Sequence, residues 1–109
     1  MSNKEYRFVI LSAPMEDLPD IAHKCVEKRL AACAQVLPGI MSFYWWKNKV
    51  EKANEGLVIL KTVETKVEEL TDFIRSIHPY DVPEVISLPI DSGLPDYLNW
   101  ITEETAKDA

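Results

Sequence analysis

Besides Met1, six side chains in this 109-residue chain carry the soft sulfur or imidazole that copper and zinc prefer: Cys25, Cys33, His23, His78, Met15 and Met41. None of them forms a ligand-spacing motif. Cys25 falls on an apolar helical stripe, where a thiol serves as a small buried hydrophobe. His23 sits between Ala22 and Lys24, where a solvated helix face accounts for it. Cys33, His78, Met15 and Met41 are therefore the candidates for a metal. Cys33 suits packing equally well, since a reactive thiol needs a nearby cation or helix N-terminus. His78, at a helix end, can satisfy exposed carbonyls there. Lys61 follows Val58-Ile59-Leu60 and must reach water at a strand end or pair with a carboxylate such as Glu84. Nucleophile motifs, glycine-rich phosphate loops and an obvious acid beside a histidine are all missing, so the chain is expected not to be an enzyme. An acid and base drawn from Lys61, Tyr80 and Glu84 is the chemical alternative.

The elements that must position these groups follow from periodicity. Tyr6, Phe8 and Ile10 alternate in a β-branched and aromatic run, the mark of a first strand. Asp17 can cap the helix after it, with Pro19 in its first turn and a stripe of Leu18, Ile21, Ala22, Cys25, Val26 and Leu30. Residues Cys33 to Val50 read as one long strand bent at Pro38-Gly39, turning at Lys47-Asn48-Lys49 into a strand through Leu57 to Thr62. Thr65 and Glu68 have capping-box spacing for a helix carrying Val67, Leu70, Ile74 and Ile77, which Pro79 stops. Val85 to Ile90, between Pro83 and Pro89, reads as an edge strand. Tyr97, Leu98 and Ile101 mark a short C-terminal helix, with fraying expected from Thr105 to Ala109.

Strand, helix, strand, strand, helix, strand, helix is the order of an α+β, ferredoxin-like βαββαβ fold with an additional C-terminal helix on an antiparallel sheet. Residues 1–109 fit one domain. A half-wet sheet alternates apolar and polar residues, yet Leu57 to Leu60 is unbroken and Phe43 to Trp46 is aromatic throughout. The second sheet face is thus expected to be covered by another copy of the chain, anchored by its tyrosine and tryptophans. Eighteen acidic against twelve basic residues give a formal charge of −6, which disfavours nucleic acid as a partner. No run reaches the ~18 apolar residues of a membrane span, so no membrane insertion is expected. Met1 to Glu5 has no secretion-signal pattern, which together with two thiols predicts a cytoplasmic protein.

Five segments in order resemble the CutA proteins: Arg29-Leu-Ala-Ala-Cys-Ala-Gln-Val-Leu-Pro-Gly39, Ser42-Phe-Tyr-Trp-Trp46, Leu60-Lys-Thr62, His78-Pro-Tyr-Asp-Val-Pro-Glu84 and Tyr97-Leu-Asn-Trp-Ile101. The resemblance implies a ferredoxin-like subunit in a homotrimer built through its long central strands. It also implies a role in tolerance of copper and other divalent cations. In some members copper is held by a cysteine at the end of the first strand and two histidines before Pro-Tyr; those positions here are Ser12, Ile77 and His78. By the same resemblance Tyr44, Trp46, Lys61, Tyr80 and Glu84 gather around clefts between subunits. There they could take a small anionic ligand or a protein partner, the alternative to direct metal handling.

Overall fold

The computed structural model describes residues 5–109. The leader reading made on Met1 to Glu5 lies, for Met1 to Lys4, outside the described residues. Four strands, β1 (Tyr6–Ala13), β2 (Cys33–Trp46), β3 (Lys49–Val63) and β4 (Val85–Pro89), form one sheet in the order β2-β3-β1-β4. Every neighbouring pair is antiparallel. Among the described residues three α-helices accompany the sheet: α1 (Leu18–Glu27), α2 (Val67–Ile77) and α3 (Pro95–Ala106). This is the expected α+β order with its extra C-terminal helix.

Strand alternation sorts the sheet into two faces. Val9, Leu11 and Ala13 of β1 and Val58, Leu60 and Thr62 of β3 lie fully buried beneath α1 and α2, which contribute Leu18, Ile21, Cys25, Leu70 and Ile74. Each such aliphatic side chain contributes about 1.5–3 kcal/mol on burial. The opposite face carries Tyr6, Phe8 and Ile10. The sequence reading left this face to a second copy, but α3 covers one end of it: Ile101 and Leu98 pack with Tyr6, Phe8 and Val63, and the Tyr6 hydroxyl meets Thr102 Oγ1 at 2.7 Å. Fraying from Thr105 is likewise corrected. Thr105 is buried and its hydroxyl donates to the Ile101 carbonyl at 2.8 Å, so α3 runs to Ala106.

Helix ends show where local chemistry wins. α1 closes in a Schellman motif, with Leu30 N–H donating to the Cys25 carbonyl and Arg29 N–H to that of Val26. Arg29 takes the left-handed position at φ 62°, and its guanidinium holds Glu104 of α3 at 2.7 Å. The Thr65–Glu68 capping box does not form: residues Glu64–Lys66 make a 3-10 turn, α2 starts at Val67, and no side chain caps it. Nor does Asp17 supply a side-chain cap to α1. Pro79 stops α2 as expected, leaving His78 extended at ψ 140°.

The β2–β3 hairpin is the long feature of the molecule. Its 15-residue second strand would span about 50 Å, close to the 45 Å longest dimension of the chain. Lys47 and Asn48 both have positive φ, the signature of a type I′ turn. The predicted bend is a bulge, in which Pro38 and Gly39 face the single residue Gly56. Gly39 needs its φ of 75°, and Gly56 has no room for a Cβ, which would meet the Leu18 side chain and the Leu37 carbonyl oxygen.

Candidate functional site

The 78–84 loop closes over the end of β1, and side chains from five places meet there. His78 is buried, with Nε2 2.8 Å from the Ser12 carbonyl oxygen and Nδ1 3.0 Å from the Tyr80 N–H. A carbonyl only accepts and an N–H only donates, so Nε2 carries the proton and Nδ1 is bare. The carbonyl it satisfies belongs to β1 and not to its own helix end, contrary to the sequence expectation. Tyr80, its ring 4.9 Å from the His78 ring, donates its hydroxyl to Glu55 Oε2 at 2.8 Å. Partial burial, then the bond to Glu55 and the charge of that carboxylate, push the Tyr80 phenol up to about 12. On the other side of the loop Ser12 Oγ donates to Glu84 Oε1 at 3.4 Å. Glu55, which is 5% exposed, was missed by the sequence reading; a carboxylate inside β3 two residues before Leu57 was its only signal.

The five residues expected to share a cleft do not meet within one protomer. Tyr80 and Glu84 sit on the loop. Tyr44, opposite Glu51, and Trp46, opposite Lys49, lie outward along the hairpin on the Glu55 face, with Tyr44 near enough to Tyr80 for its charge to add to the rise of that phenol. Lys61 is six positions from Glu55 along β3, roughly 20 Å at the rise of a strand. Its ammonium donates to Gln35 Oε1 at 2.6 Å and stands 5.8 Å from the Tyr97 ring, which stacks on Trp100. The ion pair with Glu84 offered by the sequence is therefore replaced by an amide and an aromatic partner.

The soft donors are dispersed as well. Cys33 is half-buried opposite Lys61, whereas His78 bonds Ser12, which faces Leu57. Lys61 and Leu57 are four residues apart, so the two donors are separated by about 13 Å along the sheet alone. Met15 Sδ accepts the Gly39 N–H at 3.2 Å inside the bulge, and Met41 lies on the exposed hairpin. Cys25 is fully buried, and burial pushes its thiol up to about 12, so it is the inert core residue its position suggested. His23 is exposed. Zinc sites take three or four protein donors, and among the described residues no group of three or more His, Cys, Asp or Glu could hold a metal ion. The described residues of one protomer do not fit such a site. Among the described residues no helix is long and apolar enough to cross a membrane.

What does stand open is apolar. Met41, Phe43, Trp45 and Val50 on one face of the hairpin and Trp46 on the other are each more than half exposed, with Trp45 at 75%, and Ile86 and Leu88 are exposed on β4 at the opposite sheet edge.

Residues 8–104 match the family model described as CutA1 divalent ion tolerance protein. Protein CutA of Mus musculus is 50% identical over 86 residues, 79% of this chain and 49% of that protein. The divalent-cation tolerance protein CutA of Archaeoglobus fulgidus is 39% identical over 99 residues, 90% of this chain and 96% of that one. The chain thus spans about half the length of the animal relatives it matches and nearly all of the archaeal one. Among solved structures, CutA1 from Oryza sativa superposes with a TM-score of 0.90 at 40% identity, covering 92% of this chain and 93% of that one. The periplasmic divalent cation tolerance protein CutA from Archaeoglobus fulgidus gives 0.89 at 39% identity, covering 92% and 98%.

Proposed function

This chain belongs to the CutA1 divalent ion tolerance protein family, and from that premise we propose that it serves tolerance of divalent metal ions such as copper as a non-enzymatic homotrimer in the cytoplasm. The observation that carries the assembled state is the hairpin whose aromatic and aliphatic side chains stand in water. A monomer seldom leaves large apolar side chains open on both faces of a hairpin, and tyrosine and tryptophan are the residue types that anchor protein contacts. A specific interface hides roughly 800 Å² per partner, which a hairpin of this length can supply. Because the described residues of one protomer hold no set of three such donors, direct and weak contact with copper or another divalent cation belongs to surfaces that assembly brings together.

The test is tolerance itself. A host lacking its own member of the family is grown in graded copper and zinc with this chain, with none, and with Trp45→Glu. Restored growth with the native chain and its loss with the variant are expected. Equal growth in all three would overturn the proposal.

A second reading has its own observation: the Lys61 ammonium, accessible beside the Tyr97–Trp100 stack, is a fit for a small anionic ligand or an acidic segment of a partner protein at an inter-subunit cleft. On this reading the trimer is a scaffold or signalling module. Lys61→Ala would abolish ligand-induced thermal stabilisation in a metabolite screen while leaving the assembly intact; unchanged stabilisation counts against the cleft.

A further inference from the structure

We propose that His78 is a positioning residue and not a metal ligand: its two ring nitrogens pin the 78–84 loop to β1, and a divalent cation taken up by this chain binds without it. Metal ligation uses the unprotonated nitrogen of a neutral imidazole, while the other nitrogen usually donates outward. Here the bare nitrogen, Nδ1, is occupied by the Tyr80 N–H at 3.0 Å, and the protonated one, Nε2, is spent on the Ser12 carbonyl at 2.8 Å. The ring is 8% exposed and leans on Tyr80, so a cation reaching either nitrogen would first have to break a buried hydrogen bond.

The pin also explains why the loop bearing Tyr80 and Glu84 has a fixed place. Nδ1 holds the Tyr80 backbone and thereby sets the phenol against Glu55; Nε2 holds the Ser12 backbone, beside which Glu84 accepts the Ser12 hydroxyl. A side chain with one acceptor at the Nδ1 position reproduces the first of these contacts, so asparagine is a closer substitute than alanine.

The experiment uses the full chain, labelled with ¹⁵N in its histidines, and the diamagnetic divalent ions zinc(II) and cadmium(II) alone as probes. Long-range ¹H–¹⁵N spectra should show the Nε2–H tautomer at His78 before and after stoichiometric metal. Exposed His23 is the internal control for adventitious binding. A metal-induced shift at either His78 nitrogen larger than that at His23 would overturn the proposal, as would the opposite tautomer in the metal-free protein. Hydrogen exchange supplies the positioning readout: the Tyr80 amide should be protected in the native chain and in His78→Asn, and lose protection in His78→Ala. Loss of metal stoichiometry in a folded His78→Asn would contradict the proposal too. If His78→Ala fails to fold, the native spectra still decide. The outcome does not depend on subunit number, so failure here and failure of the trimer are separate results.

Discussion

At the scale of residues, the pair that most repays attention is Tyr80 and Glu55, because a nearly buried carboxylate receives a phenol that burial and that carboxylate keep protonated. Tyr80→Phe is expected to lower stability by about 1–3 kcal/mol, the range for leaving a buried acceptor short of its donor; urea unfolding at neutral pH measures it. The alkaline response has a definite sign. Tyr80 moves from 10.0 to about 12 and Cys25 from 9.0 to about 12, so between these limits the unfolded chain loses protons that the folded chain keeps. Stability therefore falls as pH rises from about 9 toward about 12. The decline should be shallower in Tyr80→Phe, seen as a smaller drop of the urea midpoint above pH about 10. The sequence showed Tyr80, Glu84 and His78 as neighbours in one segment, since they are close in the chain. Glu55 and Ser12 reach that segment only through strand register, which no local pattern encodes.

The elements were legible wherever periodicity was long. Both core helices, four strands and the Pro38-Gly39 bend follow from apolar spacing and breakers. The start of α2 was not, because Thr65 was absorbed into a 3-10 turn that Glu64 N–H anchors to the Glu5 carbonyl. Nor was the reach of α3, whose Thr105 looks polar in sequence but is buried. The bulge offers a discriminating pair of substitutions. Gly39→Ala meets no neighbour and suffers only its positive φ, so it should cost about 1–2 kcal/mol. Gly56→Ala must displace both the Leu18 side chain and the Leu37 carbonyl and should cost at least about 1–3 kcal/mol, the usual overpacking range. Combining each with Leu18→Ala separates the causes: the Gly56 effect should shrink and the Gly39 effect should not, as read by thermal unfolding of the two glycine variants, Leu18→Ala and the two double variants.

For the whole molecule, the hairpin decides the account. Two of its features were visible in the sequence: the uncharged run from Cys33 to Trp46 and the clustered aromatics at its end. What was not visible is that α3 folds onto one end of the sheet face opposite α1 and α2, so the surfaces left for a neighbour are the two faces of the hairpin and the β4 edge. An uncharged edge strand is a template for association unless something covers it. Trp45→Glu should therefore shift the protein toward monomer without unfolding it, which sedimentation and far-UV circular dichroism would together report. The dispersal of Lys61 from Tyr80 and Glu84 points the same way, because only neighbouring copies can bring these groups to one cleft. The measurement that bears most directly on all of this is native mass spectrometry of the metal-stripped chain, with and without stoichiometric copper and zinc. A species of three times the chain mass, present in both conditions, is the predicted result; a monomer at micromolar concentration would contradict it.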